Sequence, residues 1–199
     1  MKLTPVNRIP VFIGALILGA CASTGSGLNS DMIRDTFGNY GVEVLSENDS
    51  RRTSSLYSSE GKFKTTRTYA VVEYTGRPSQ AYAREHEKIL SGASIGSTFR
   101  DAGWDIRKQH LFIGELEVPA TYGKLAEMME IALPQTLATH QYLFIISRDE
   151  TSFNYATIIE IHHPEFLTVT ELKELYGEIL FDDSNRDSIH DFLGPPPLK

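Results

Sequence analysis

The hydrophobic pattern is most regular in the second half of the chain. Residues 142–146 are consecutive apolar or aromatic residues, typical of a central strand covered on both faces. Residues 153–162 alternate in direction, which puts Glu160 and His162 on the same face of a strand. A charged turn at residues 148–152 joins the two segments. Together they predict an antiparallel hairpin.

Other segments show either strand composition or helical spacing. Extended composition predicts strands at residues 41–46, 67–75 and 104–118. Spacing and capping signals predict helices at residues 31–37, 79–90, 95–102, 119–133 and 171–180.

Two of these helices carry specific N-terminal signals. Asn29 or Ser30 is expected to cap the first helix, and a capping box from Thr168 to Glu171 precedes the last one. Leu175 lies in the apolar stripe of the last helix and is expected to be buried.

The order of elements predicts an α+β fold. We expect one antiparallel sheet with helices packed mainly on one face, a two-layer sandwich. The strand order stays open, because a helix after a strand permits some parallel pairing. The predicted domain spans residues 31–181, with a polar, serine-rich mobile loop, or at best a ragged hairpin, at 46–66. A flexible tether at residues 21–30 precedes it, and an acidic, proline-rich tail at residues 182–199 follows.

The N-terminus has the pattern of a secretory signal peptide. Lys2 and Arg8 form a basic start, residues 11–19 are apolar and uncharged, and small residues lead to Cys21. The apolar run is too short for a spanning helix, which needs about 20 residues. Residues 1–20 are therefore predicted to be a signal peptide that precedes the α+β domain.

The segment Leu18-Gly19-Ala20-Cys21 resembles the lipobox of bacterial lipoproteins. The resemblance implies that the Cys21 thiol takes a diacylglyceryl group, that the bond before it is cut, and that the new amino terminus is acylated, for example with palmitate. Cys21 is the only cysteine of the chain. Ala22, where an aspartate would favour the inner membrane, implies an outer-membrane anchor facing the periplasm.

Composition and charge limit the partners. With 41% hydrophobic and 23% charged residues, the chain is ordinary for a globular protein. The net charge of −7 becomes −9 once the two basic groups of residues 1–20 are removed. This charge excludes nucleic acid as a partner and makes electrostatic attachment to anionic lipid unfavourable. Membrane attachment is assigned to lipid on Cys21, and an envelope protein, a glycan or a small ligand remain as possible partners.

One motif raises the possibility of catalysis. Residues 92–96 match the pattern G-x-S-x-G, with Ser94 at the nucleophile position. Asp149 and His162 follow in the chain order of a hydrolase triad. That motif needs a buried strand before it, whereas residues 83–90 are charged and helix-like. The pattern therefore favours a glycine-rich linker between two helices.

Metal and cofactor sites are not predicted. Glu160 and His162 share a face while His163 turns away, so we expect at most two ligands to converge, and zinc needs three or four. The histidine pair is interpreted as a solvated strand end. The acidic run from Asp183 lacks the glycine and the bidentate glutamate of a calcium loop.

The sequence thus favours a membrane-anchored envelope lipoprotein with a non-catalytic binding or accessory domain. The alternative is a small lipid-anchored serine hydrolase that uses Ser94.

Overall fold

A computed structural model describes residues 27–179. The predicted signal peptide, Cys21, most of the tether and the acidic tail lie outside this range. The described part contains a six-stranded sheet in the order β1-β2-β3-β6-β5-β4. Its strands are β1 (Gly41–Glu47), β2 (Arg51–Glu60), β3 (Phe63–Tyr74), β4 (Asp105–Val118), β5 (Gln135–Arg148) and β6 (Thr151–His162).

The sheet consists of two three-stranded meanders. Strands β1 to β3 form the first meander and β4 to β6 the second, and the last strand of each pairs with the other. This central pairing runs from Thr68 opposite His162 to Tyr74 opposite Ala156. All five neighbouring pairs are antiparallel, so the parallel pairing that the sequence left open does not occur in the described sheet.

Helices cover both faces of the sheet, unequally. Residues 27–179 contain five α-helices and a short 3-10 helix at Gln80–Tyr82. The α-helices are α1 (Asn29–Phe37), α2 (Ala83–Leu90), α3 (Ile95–Asp101), α4 (Gly123–Met129) and α5 (Val169–Tyr176). Because alternate residues of a strand face opposite sides, the packing partners of each helix identify its face.

Helix α4 covers one face of the sheet, which we call the α4 face. There, Leu125 and Met129 pack on Val71 and Ile159 of the central strands. We call the other side the cavity face. It carries two clusters: one packs residues of α2 and α3 against β5 and β6, and the other packs α1 and α5 against β4 and β5. The predicted α+β class, with an antiparallel sheet and helices mainly on one face, is confirmed.

The mobile loop predicted at residues 46–66 is wrong, because this segment contains the end of β1, all of β2 and the start of β3. The alternative of a ragged hairpin is closer, since β2 and β3 pair as an antiparallel hairpin with one irregularity between Leu56 and Tyr57. Residues 52–55 are buried although all four are polar. The hydroxyls of Ser55 and Thr66 lie 2.7 Å apart and hydrogen-bond across the two strands. Paired polar side chains of this kind can be buried at low cost, and a hydrophobic pattern does not reveal them.

Several predicted helix details also differ. Helix α4 covers seven residues rather than 119–133, because Glu130 adopts a left-handed conformation with φ 56° and ends it. Helix α1 begins at Asn29, and no side chain caps it; Asn29 and Ser30 are buried in its first turn, so the predicted cap is wrong.

The buried stripe of α5 also differs from the expectation. Leu175 is 52% exposed, whereas Leu172 is completely buried against α1 and β4. The expectation of a buried Leu175 is therefore wrong. The capping box of Thr168 and Glu171 is present as the sequence indicated. Within residues 27–179, no helix has the length and apolar character required to cross a membrane.

Candidate functional site

A cavity lies between the cavity face of the sheet and the chain segment at the start of α1. The volume of this cavity that the centre of a water molecule can occupy is about 70 Å³. By the same measure, one water requires roughly 10–15 Å³. Apolar side chains form much of its wall, including Leu28, Val72 and Phe144. The polar side chains that reach it are Asn29, Ser30, Tyr40, Arg52, Ser54, Ser94, Lys108, Tyr142 and Glu160.

Lys108 supplies a positive charge to this cavity. Its ammonium lies 4.6 Å from the ring centre of Tyr142 and 5.5 Å from that of Tyr176. The ammonium also donates a long hydrogen bond of 3.4 Å to the carbonyl of Gly27. Among residues 27–179, no carboxylate oxygen lies within 4.0 Å of the Lys108 ammonium, so Lys108 forms no ion pair with them.

Arg52 is a second cation at the cavity, but its donors are engaged. The side chain is 1% exposed. It donates from Nε to the Ser54 hydroxyl at 2.8 Å and from Nη1 to the carbonyls of Ile89 and Ala93 at 2.8 and 3.0 Å. Glu47 lies 3.7 Å from the same Nη1. Arg52 therefore holds the end of α2 on the sheet.

Glu160 is the carboxyl group of the cavity. Its side chain is almost fully buried, and the Tyr142 hydroxyl donates to Oε1 at 3.0 Å. Burial raises the pKa of Glu160 above its usual value, and the charge of Lys108 and the Tyr142 hydrogen bond oppose part of that rise. Within residues 27–179, no donor is in hydrogen-bond geometry with Glu160 Oε2, although the nearby Asn29 side chain also opposes the rise in the pKa of Glu160.

Behind Glu160, two buried histidines complete a cluster on the same face. His140 of β5 lies directly opposite Glu160 of β6, and His162 follows two residues later on β6. The nearest ligand-type atoms of the three side chains lie within 4.8 Å of one another. We call these residues the buried trio.

Both histidines of the trio are held neutral. Burial is the main cause, and the positive charge of Lys108 adds to it. These effects lower the pKa of His162 to about 3 and hold the pKa of His140 far below its usual range. At neutral pH each imidazole therefore keeps one nitrogen free of a proton and able to accept a bond.

The three residues of the predicted triad do not meet. Ser94 lines the cavity and precedes α3, but it follows a helix and a Gly92 turn instead of a buried strand. Asp149 is exposed in the turn between β5 and β6. His162 is at the far end of β6, roughly 35 Å from that turn at about 3.4 Å per residue.

The histidines at the strand end are not solvated as expected. His162 is fully buried and His163 is 5% exposed. Glu160 and His162 do share a face, and His163 instead bonds the carbonyl of Met129 at 2.9 Å on the α4 face. The expectation that at most two ligands converge is wrong, because His140 of the neighbouring strand supplies a third.

The comparisons with known proteins add little. No protein-family model matches the chain, and no curated protein is similar to it in sequence. Among solved structures, the crystal structure of the PhnF C-terminal domain is similar, with a TM-score of 0.41 and 12% identity. The match covers 68% of this chain and 75% of that one. A likeness this distant carries no argument about function.

Proposed function

We propose that this chain is a lipid-anchored protein of the bacterial cell envelope whose domain binds a small molecule without transforming it. The ligand enters the cavity at the start of α1 and carries an apolar body and an anionic group. The observation that carries this proposal is Lys108, a cation that lines a cavity with much apolar wall and that forms no ion pair with any carboxylate of residues 27–179.

The walls of the cavity fit such a ligand. Binding sites for small molecules are mostly apolar, with a few polar groups that orient the ligand. Leu28, Phe144 and Ile158 contribute apolar surface, and the half-buried Lys108 lies over the ring of Tyr142. A carboxylate, sulfonate or phosphate would form a charge-assisted hydrogen bond with this ammonium.

The anchor in this proposal is lipid on Cys21. It rests on the resemblance of residues 18–21 to a lipobox and on the absence of any other cysteine from the sequence. Gly27 is six residues after Cys21, and six fully extended residues span at most about 22 Å. A cavity that begins with Leu28 would therefore stay close to the membrane surface, on the periplasmic side of the outer membrane.

A binding role fits the site better than the serine-hydrolase alternative. A nucleophilic serine needs a base within hydrogen-bond reach. Within residues 27–179, the Ser94 hydroxyl has no histidine as a hydrogen-bond partner, and His86 instead bonds the Tyr155 hydroxyl at 2.8 Å. An envelope protein or a glycan remains the partner to consider if the cavity does not bind small anions.

Hexanoate and hexanol test the proposed ligand chemistry, because they share an apolar chain and differ in charge. We expect hexanoate to bind the purified protein one to one and hexanol to bind about 10–100-fold more weakly, since a hydrogen bond to a charged group contributes roughly 1.5–3 kcal/mol. Isothermal titration calorimetry measures both affinities. Lys108→Met, which keeps the apolar stem, should abolish the preference for hexanoate.

The matched control is Lys124→Met, because Lys124 is exposed on α4 at the opposite face. This variant should bind hexanoate like the wild type. Equal binding of hexanoate and hexanol by the wild type, or the same loss in both variants, would show that Lys108 does not select an anion.

The anchor has a separate test. Cys21→Ser should leave an unprocessed or mislocalised precursor that takes up no palmitate label, and globomycin should cause the wild-type precursor to accumulate. Ala22→Asp should be lipidated but retained in the inner membrane. A Cys21→Ser protein that still fractionates with the outer membrane after a carbonate wash would disprove lipid anchoring at this residue.

A further inference from the structure

The buried trio has an arrangement that a satisfied polar core does not need. Three buried atoms, His140 Nδ1, Glu160 Oε2 and His162 Nε2, have no hydrogen-bond partner in the described part of the chain. All three belong to the group whose ligand atoms lie within 4.8 Å of one another. Buried polar atoms in proteins are nearly always paired, so three unpaired acceptors in one place require an explanation.

The second polar atom of each side chain is already held. His140 Nε2 lies 2.8 Å from Nδ1 of His110, and His162 Nδ1 lies 3.1 Å from the Thr68 hydroxyl. Glu160 Oε1 accepts from Tyr142. If the ring protons lie on His140 Nε2 and His162 Nδ1, these nitrogens donate to their partners. The unpaired atoms of the three side chains then present lone pairs to a common space.

This is the pattern of metal ligands with outer-shell partners. A ligating histidine usually donates its other N–H to a neighbouring acceptor, which fixes the tautomer and the ring orientation. Two neutral imidazoles and one carboxylate are the protein ligand set of some catalytic zinc sites, which keep a fourth position open, and of non-haem iron sites. A divalent cation would also compensate the buried carboxylate, because the only basic group of residues 27–179 within 4.0 Å of it is the neutral imidazole of His140.

We propose that His140, Glu160 and His162 bind a divalent transition-metal ion of the Zn²⁺ class. The proposal goes beyond ligand binding in the cavity. His140 Nδ1 and Glu160 Oε2 are 3.9 Å apart, and bonds of about 2.0–2.1 Å in a tetrahedral site would bring them to roughly 3.3 Å. A small rotation of two side chains provides this contraction. Of the three residues, Glu160 also lines the cavity, so the carboxylate is where the trio borders the cavity.

Zinc titration of the metal-free protein tests the proposal directly. The purified full chain is stripped with a chelator, and Zn²⁺ alone is added while heat and thermal stability are recorded. We expect one equivalent to bind and to raise the melting temperature, because an ion that binds only the folded state stabilises it. His140→Gln, Glu160→Gln and His162→Gln, which preserve side-chain polarity and approximate volume, should each weaken this binding by more than the roughly 10–100-fold typical of outer-shell changes.

Two buried histidines outside the trio provide matched controls. His86 lies on the same face of the sheet and bonds Tyr155, and His163 is the immediate neighbour of His162. His86→Gln and His163→Gln should bind one equivalent of Zn²⁺ with wild-type affinity. If the trio variants bind Zn²⁺ as tightly as the controls, the ion lies elsewhere and the proposal is wrong.

A measurement on the wild type covers the case in which trio variants do not fold. X-ray absorption of the loaded protein should show two imidazoles and oxygen in the zinc coordination shell. A shell without two imidazoles, or the absence of a tightly bound equivalent, would overturn the proposal. Hexanoate binding to the metal-free protein is measured separately, so failure of the metal site is distinguishable from failure of the proposed ligand site.

Discussion

His140 and Glu160 lie directly opposite each other on neighbouring strands, yet they do not hydrogen-bond. Their nearest atoms are 3.9 Å apart, and both side chains are almost completely buried. Each side chain instead holds an outer partner, His110 for the imidazole and Tyr142 for the carboxylate. The space between them is therefore preorganised by contacts that a bound ion would not disturb.

Thr68→Val tests one of the outer partners of the trio. Valine has a similar shape but cannot accept the N–H of His162, which lies 3.1 Å from the threonine hydroxyl. We expect Zn²⁺ affinity to fall about 10–100-fold while the fold is retained. Calorimetric titration gives the affinity, and circular dichroism monitors the fold. Unchanged zinc affinity would mean that Thr68 does not orient the ligand.

Leu172→Ala should destabilise the domain strongly. Leu172 is fully buried, and deletion of a buried leucine side chain costs about 2–5 kcal/mol. Leu175→Ala on the same helix is the control, because Leu175 is 52% exposed and should change stability by about 0.5 kcal/mol or less. Urea unfolding gives both free energies. A larger loss for Leu175→Ala would show that α5 is rotated relative to this packing.

Gly114→Ala should be destabilising because an aromatic ring occupies the space of its side chain. A Cβ atom at Gly114 would lie 2.6 Å from Phe112 Cζ, and Phe112 is packed in the core of the α4 face. We expect a loss of about 1–3 kcal/mol in the free energy of unfolding, as for other overpacked cores.

The control for Gly114→Ala is Gly123→Ala, whose added Cβ would meet no atom within 4 Å. Gly123 is the first residue of α4, and alanine is the better helix former by about 0.5–1 kcal/mol. Gly123→Ala should therefore be neutral or stabilising by urea unfolding. Equal effects of the two substitutions would contradict the close approach of Phe112.

Thr168→Ala should destabilise α5 by about 1 kcal/mol at neutral pH, because it removes one half of the capping box. Hydrogen bonds from the backbone and then the side chain of Thr168 lower the pKa of Glu171 below its ordinary value of 4.5. A lowered folded-state pKa gives stability that is present above the unfolded pKa and is lost as the pH falls through the folded pKa.

The difference between wild type and Thr168→Ala should therefore be largest above pH 4.5 and should shrink in more acidic solution. Urea unfolding over a pH series measures it. A difference that grows on acidification would have the wrong sign for this capping box.

The sequence predicts the elements in which apolar residues define the structure. β4 begins one residue after the predicted strand and β6 begins two residues before it, and both end at the predicted residue, because their apolar positions recur regularly. For β2 the sequence indicated at best a ragged hairpin, since its buried centre consists of Arg52 and hydroxyl side chains. Their burial depends on partners such as Thr66 on another strand, and no local pattern records those partners.

The buried trio was missed for a different reason. Arg148 pairs with Thr151 beside the turn, and an uninterrupted register from that pair would place His140 opposite Ile159. An irregularity between Phe144 and Ile145 shifts the register by one residue, so that His140 faces Glu160 instead. Such a shift moves a side chain to the other face of a sheet, and nothing in the hydrophobic pattern marks its position.

The arrangement of two meanders gives the two sites different requirements during folding. His140, Glu160 and His162 all belong to β5 and β6, which a short turn joins, so closing one hairpin brings the trio together. The cavity combines Arg52 of the first meander with Lys108 of the second, and the pairing that joins the meanders connects residues as far apart as Thr68 and His162. Closing so long a loop is slower and entropically more costly than forming a hairpin. During refolding, a first and weaker phase of zinc binding would therefore report closure of that hairpin. Full zinc affinity, which requires Thr68 of β3, and anion binding would both report the docking of the two halves of the chain.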